Sequence, residues 1–365
     1  MNTTLPRWVD IGLIPLINLA LALFVAGLVV IFIGEDPIRA VQILIRGALG
    51  SDYGIGFTLY YATNFIFTGL AVAIAFHASL FNIGGEGQAS IAGIGVALAA
   101  LTLDQTHWLI SLPAAIVMGG LFGAAWAAIP AYLQAKRGSH IVITTIMFNF
   151  IASALLVYLL VNVMKVEGSM ATETRKFQEG AQIPFVHEMA GWFGLKMART
   201  PMNISFFLAL ICCVFTYLLI WRSRLGYEIR AFGFSEPAAV YAGINPVKIT
   251  MIAMLLSGAM AGLMAINTVM GDQQRLVLDA VQGAGFVGIA VALMGRSHPV
   301  GVLLAAILFG ILYQGGAELA FEMPKISRDM IVVIQALVIL FTGALENMVR
   351  IPVARAWLKL DRRSA

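Results

Sequence analysis

Charge is what this sequence has least of. Of its 365 residues, 12% are Asp, Glu, Lys or Arg, about half the share of a soluble globular protein. Hydrophobic residues make up 60%, and mean hydropathy is +0.89. So few charges cannot cover the surface of such an apolar chain, which excludes a soluble enzyme and a disordered protein. The 23 basic and 19 acidic residues, with a formal net charge of +4, are too sparse for a nucleic-acid stripe. Cysteine is nearly missing. Cys212 and Cys213 are adjacent inside an apolar run and supply neither a metal set nor a useful disulfide. Motifs of soluble chemistry are missing too. No Gly-Lys pair exists, so there is no G-x-x-x-x-G-K-[ST] phosphate loop. His187-Glu188 is followed by Met-Ala-Gly, and no G-x-S-x-G elbow occurs. No catalytic residue, metal or cofactor is therefore expected in this chain. Active transport would need energy from a partner or an ion gradient.

What is present is a series of long apolar runs. Seven uncharged stretches reach the roughly 17–20 residues that a bilayer span needs: 11–34, 53–76, 105–135, 141–164, 200–221, 249–271 and 297–317. Three others, 87–103, 280–295 and 330–345, are shorter but too apolar for surface loops. They suit spans with polar ends or half-helices packed inside a bundle. The first run is too long for a signal-peptide core and no small-residue cleavage site follows Gly34, so it reads as a permanent anchor. The expected fold is an all-α polytopic membrane protein of about ten transmembrane helices, in a single domain over 1–365.

Lys and Arg set the orientation. With the N-terminus in the cytoplasm, Arg7, Lys136, Arg137, Arg222, Arg224, Arg230, Lys248, Arg296, Arg350, Arg355, Lys359, Arg362 and Arg363 share that side. Much of the opposite basic charge falls in one long loop, about 165–199, where the rule has little force. Ten spans then place both termini in the cytoplasm. Trp8, Trp108 and Trp221 lie at segment ends, where interfacial aromatics belong. Segments one to five cover about 11–164 and six to ten about 200–347. Five is odd, so the second half enters the membrane in the opposite sense. Each half has a short third segment, a pattern that suggests two inverted five-helix repeats with broken helices and a permeation site between them. The alternative is coincidence. Gly119/Gly123 and Gly258/Gly262 have the small-xxx-small spacing of packed helices.

The most unusual local sequence is Phe81-Asn82-Ile83-Gly84-Gly85-Glu86-Gly87-Gln88. It places a carboxylate and two amides near membrane depth, which is costly unless they face protein or a wet cavity. It reads as part of a permeation pathway, or as a polar interface loop that caps the next helix. Asn64, Asn149, Asn267, Gln314, Glu318 and Gln335 also fall inside apolar runs. They can hydrogen-bond a passing hydroxyl or base edge, or simply bond neighbouring helices. Phe57, Phe65, Phe67 and Phe286 can stack on a base or pack like any Phe. Pathway candidates are thus Asn64, Asn82, Glu86, Gln88, Asn149, Asn267, Phe286 and Gln335. Between the sixth and seventh segments, about 222–248, Ser235 reads as an N-cap with Glu236 and Pro237 in the first turn and Gly243 as the stop. Asn245-Pro246 then caps the seventh segment. A short helix there, flanked by Arg222, Arg224, Arg230 and Lys248, suits docking on a soluble ATPase or an ordinary connector.

The Phe81–Gln88 stretch resembles the signature of permease subunits in bacterial ABC importers for simple sugars and nucleosides, of the branched-chain amino acid/ribose-type superfamily. Three further stretches match in order: Val142–Phe150, Glu228–Gly233 continuing to Ala238–Ile244, and Gly285–Arg296. The resemblance covers roughly 57–347. His77 stands where an Arg is common and Phe232 where a smaller residue is common. The Thr144-Thr145 to Asn149 stretch looks like the longer of two paired permeases in nucleoside importers. The resemblance implies a coupling helix in the 222–248 loop, with Arg230, Ser235, Glu236, Pro237, Ala239, Tyr241 and Gly243 at the ATPase. It implies ATP on a separate ATP-binding subunit, a second homologous permease (heterodimer, with a homodimer as alternative), and an extracytoplasmic solute-binding protein. The 165–199 loop would receive that protein or cap the bundle. It implies nucleoside transport across the bacterial inner membrane, with pentose or hexose as the alternative solute. The rival from another class is a proton-driven secondary transporter with Glu86 or His77 as carrier. A lipid enzyme ranks last, because the histidines at 77, 107, 140, 187 and 298 are scattered.

Overall fold

The computed structural model describes Pro6, Val9 and residues 13–166, 168–341 and 350–353. Trp8, Arg7, the end of the 330–345 segment and the basic residues Arg355, Lys359, Arg362 and Arg363 lie outside the described residues. Among these residues, fourteen α-helices follow one another. They are α1 (Ile14–Phe32), α2 (Pro37–Leu49), α3 (Asp52–His77), α4 (Gly85–Leu103), α5 (Trp108–Arg137), α6 (Ile141–Leu159) and α7 (Val186–Trp192). Then come α8 (Ser205–Tyr217), α9 (Arg224–Phe234), α10 (Glu236–Tyr241), α11 (Pro246–Ala265), α12 (Ala284–Met294), α13 (Pro299–Glu322) and α14 (Arg328–Ile339). Wider π-helical turns extend α6 over Leu160–Met164, α8 over Leu218–Arg222 and α11 over Ile266–Asp272.

All ten apolar segments carry helix, but they are not ten equal spans. Among the described residues, seven helices are long and apolar enough to cross a bilayer. An eighth span would combine the helices of α1 and α2, which bend by 119° at the break between them. The bend follows from Pro37 at the first turn of α2 and from Asp36, whose side chain accepts from Ile38 N at 2.8 Å. α12 has 11 residues, about 16 Å at 1.5 Å per residue, roughly half the hydrocarbon thickness. Its start is set by Gly283, at φ +78°, which ends the preceding apolar stretch before helix can form.

By packing, the chain divides into two compact units, the described residues of 1–54 with 311–365 and those of 55–310. This grouping differs from the division by chain order into 11–164 and 200–347. In the first unit, Ala26 and Val30 of α1, Ala40 and Ile43 of α2, Leu319 of α13, Met323 just after it, and Ile331 and Ile334 of α14 share one apolar cluster. Lys325 pairs with Glu35 at 3.2 Å beside it.

In the second unit α3, α4 and the α11 span are mostly buried, whereas α5, α6 and α8 present most of their surface outward. Such a centre suits α4, whose Gly- and Ala-rich sequence has no polar face to offer water. The Gly pairs read from the sequence meet each other. A Cβ at Gly123 of α5 would run into the Gly258 carbonyl of α11, and one at Gly262 into the Gly119 carbonyl. Two small-xxx-small faces thus let α5 and α11 approach backbone to backbone. Trp108 opens α5, and Trp221 lies in the last turn of the α8 span. The 165–199 loop is tied down by backbone bridges between Glu173 and Val277 and between Phe185 and Asn203. Arg175 pairs with the buried Asp104, and Arg275 pairs with Glu173 at 2.7 Å.

Candidate functional site

The helix starts of α4 and α12 meet. Gly85 lies against Gly285, and a Cβ at Gly285 would strike the backbone of Glu86. That closeness lets the Glu86 carboxylate accept from Gly283 N and Gly285 N, each at 2.9 Å. Glu86 therefore caps the N-terminus of α12, where free N–H groups and the helix dipole favour negative charge. Around it the amides close on protein partners. Asn82 Nδ2 donates to Gln88 Oε1 at 3.0 Å and to Ser257 Oγ at 2.8 Å, and Gln88 Nε2 donates back to Asn82 Oδ1 at 3.1 Å. Ser257 donates onward to the Ala71 carbonyl. Asn149 accepts from Gly87 N at 2.9 Å and donates to the Ile83 carbonyl at 3.0 Å. Asn82, Gln88 and Asn149 are thus buried and locked, whereas Phe286, just inside α12, is 48% exposed.

A second buried network links α3, α8 and α11. Asn267 Nδ2 donates to Asn64 Oδ1 at 2.7 Å and to the Tyr60 carbonyl at 3.1 Å, while its Oδ1 accepts from Asn203 and Ser205, each at 2.8 Å. Asn64 and Asn267 thus spend their amides on the protein. Gln335 belongs to the first unit, where it is buried. Of the pathway candidates, the structure gathers Asn82, Glu86, Gln88, Asn149 and Phe286 near one junction and pairs Asn64 with Asn267 in the second network. Phe65 and Phe67 are buried, with Phe65 edge-on to Phe309. Ser257, Asn203 and Ser205 escaped the sequence reading, because small polar residues in or near helices carry no mark of their distant partners.

The 222–248 loop folds as two helices rather than one. Ser223 caps α9, accepting from Gly226 N at 3.0 Å. Ser235 caps α10, with Pro237 in its first turn, and Gly243 follows its end at φ +83°. Asn245 accepts from Lys248 N at 3.1 Å and starts α11. Glu236, Pro237, Tyr241 and Gly243 are exposed, Arg230 and Ser235 half-buried. Ala239 points inward, in an apolar cluster with Ile229, Phe232, Ile249 and Ala75, because helical spacing turns one face of α10 toward the bundle. Phe234 and Tyr241 are each 96% exposed and flank α10 with apolar surface. Phe234 was missed, although a bulky residue before a capping Ser in a polar loop was the available signal. α9 is bound to its neighbours: Ser79 Oγ donates to the Gly233 carbonyl at 2.6 Å, and a Cβ at Gly233 would strike the His77 carbonyl.

Residues 54–343 match the family described as branched-chain amino acid transport system / permease component. The chain is 34% identical over 335 residues to the guanosine ABC transporter permease protein NupP of Bacillus subtilis, covering 91% of this chain and 93% of that one. It is 32% identical over 368 residues to the glucose ABC transporter permease protein TsgB13 of Haloferax volcanii, covering 99% and 93%. It is 31% identical over 333 residues to the nucleoside ABC transporter permease protein NupB of Lactococcus lactis, covering 90% of each. No solved structure matches the chain significantly.

Proposed function

Because the chain belongs to the family of branched-chain amino acid transport system permease components, and is a multi-pass ABC transporter permease, we propose that it carries nucleosides into the cell. The observation that carries the solute is its 34% identity, over nearly all of both chains, to a guanosine permease. The second reading is a sugar, favoured by the similarity to a glucose permease over 99% of this chain.

In this reading a solute-binding protein delivers the nucleoside to the outer face, near the 165–199 loop. A separate ATP-binding subunit holds and hydrolyses ATP. It seats α10, with Glu236, Pro237, Tyr241 and Gly243 on its surface and Phe234 and Arg230 beside them. A second homologous permease completes the pathway. The exposed, rigidly capped α10 supports the docking role, since a short helix fixed at both ends passes on a push without bending. Both termini face the cytoplasm, and the two halves are inverted repeats. The meeting of α4 and α12, the third segments of each half, supports that symmetry, although only α12, at 11 residues, is short, and α4 runs a full 19. Glu86 and Phe286 are the pathway residues we assign at this junction, with Asn82, Gln88 and Asn149 shaping it from behind. Asn64 and Asn267 shape the second unit away from it, and Gln335 belongs to the first unit. The two end states differ by a few kcal/mol, and the partners bias them.

Uptake into proteoliposomes holding the complete importer tests the reading. Labelled guanosine should enter only with ATP, should be displaced by unlabelled adenosine and uridine, and should resist excess glucose or ribose. Glucose uptake with no guanosine uptake would establish the sugar reading. Uptake that needs no ATPase and collapses with the proton gradient would establish a secondary transporter.

A further inference from the structure

At the end of the second unit away from the 222–248 loop lies an open cleft of about 640 Å³, within the range of small-molecule sites. Its position follows from two helices. α3 ends at His77, whose carbonyl lies against Gly233 of α9, and α11 starts at the loop's last cap, Asn245. The cleft is lined by Phe57, from the first turns of α3, and by Asp272, from the last turn of the α11 span. Phe57 and His77 are about 30 Å apart along the helix, the thickness of the hydrocarbon core. The cleft therefore opens on the face opposite the proposed ATPase contact, where solute arrives.

Its walls are built and held. The start of α7 supplies Phe185, His187 and Glu188, and the irregular segment before α8 supplies Arg199 and Thr200. The two are laced together by Val186 N to the Met202 carbonyl at 2.9 Å and by Ile204 N to the Pro184 carbonyl at 3.3 Å. Phe185 and His187 stack with centroids 5.4 Å apart and planes 22° apart, giving a flat aromatic face. Below, Tyr60 Oη and Gln273 Nε2 both donate to Asp272 Oδ2, at 3.0 and 2.7 Å. Those contacts fix the carboxylate and leave Oδ1 as an acceptor. His187 Nδ1 is buried without a hydrogen-bond partner among the described residues. The π-helical turn Ile266–Asp272 that presents Asp272 is a rare conformation that recurs at functional sites.

We propose that this cleft is an entry subsite for a nucleoside. The base stacks on the Phe185/His187 face, a ribose hydroxyl donates to Asp272 Oδ1, and Arg199 serves acceptors on the base edge. A flat apolar face beside fixed acceptors matches a molecule with an aromatic ring on one side and a diol on the other. A hexose offers the hydroxyls without the ring. The inference rests on the nucleoside reading above.

The test uses the permease–ATPase complex in nanodiscs without its binding protein, with adenosine and glucose as probes in saturation-transfer NMR. Transfer to both the base and ribose protons of adenosine is expected, and none to glucose. Phe185→Ala should weaken the apparent affinity about tenfold, the loss of one stacked base. Asp272→Asn, which keeps shape and assembly, should weaken it as well and carries the test if Phe185→Ala fails to assemble. Leu195→Ala, on the exposed tip outside the cleft, should leave the signal alone. No transfer to adenosine, equal transfer in the variants, or equal transfer to glucose overturns the subsite. If adenosine uptake by the complete importer persists while the cleft gives no signal, the subsite fails and the transport function stands. If glucose alone is taken up, the nucleoside reading itself fails.

Discussion

A single carboxylate shows how far a residue's chemistry depends on its partners. Glu86 was marked by its cost, a charge among glycines inside an apolar chain. Its partners were not readable, because the two N–H groups it holds are 197 and 199 residues away. A carboxylate accepting two backbone N–H groups makes strong bonds, each worth about 1.5–3 kcal/mol. Glu86→Ala should therefore destabilise the protein by about 2 kcal/mol or more, read as a fall in thermal midpoint in detergent. Glu86→Gln, which keeps one acceptor, should lose less. If Glu86 were instead a proton carrier, Glu86→Gln would abolish uptake and leave stability alone. The same distinction applies to Asn82, Gln88, Asn149, Asn64 and Asn267. Polar residues in apolar runs were easy to find, but whether each faces a solute or a neighbouring helix depends on what folds beside it.

Elements divide into those that local sequence dictates and those that packing dictates. The caps at Ser235, Asn245 and Gly243 act within four residues of themselves, so the α10–α11 corner was legible. α2 and α9 are illegible as helices, since amphipathic stretches with Arg between apolar runs look like loops until a neighbour covers one face. The paired glycines of α5 and α11 were legible as a spacing, and only packing joined them. Gly123→Leu should push against the Gly258 carbonyl and cost about 1–3 kcal/mol by overpacking, measured as reduced thermal stability. Gly120→Leu, where a Cβ meets only Ala259 at 4.0 Å, should be milder. At α10, Glu236→Lys reverses a charge on an exposed helix start. It should lower ATP-driven uptake severalfold while the isolated permease keeps its thermal midpoint. Uptake that still follows ATP hydrolysis would remove the coupling role from this helix.

For the whole molecule, the sparse charges that first excluded soluble classes also carry the orientation. Lys196, near the tip of the 165–199 loop, and Glu236, in α10, are both exposed and are assigned to opposite faces. With Cys212 and Cys213 buried, Glu236→Cys should react with an impermeant maleimide only after the membrane is opened. Lys196→Cys should react in intact cells. The reverse pattern would invert the topology. Packing also groups the described residues of 1–54 with those of 311–365 in one unit and those of 55–310 in another, which composition along the chain does not reveal.

The sequence alone determined that this protein lives in a membrane, where its apolar segments start and stop, and which short motifs mark its family. Those properties follow from local terms, namely hydrophobic transfer, helix caps and the run lengths a bilayer demands. Only the tertiary structure decided that Glu86 caps α12, that five of the suspected pathway amides are closed on protein partners, and that Phe57, Phe185, His187 and Asp272 share one cleft. Each of those results joins residues far apart in the chain. Their proximity is set by which helix faces pack together, and no stretch of sequence contains that information by itself.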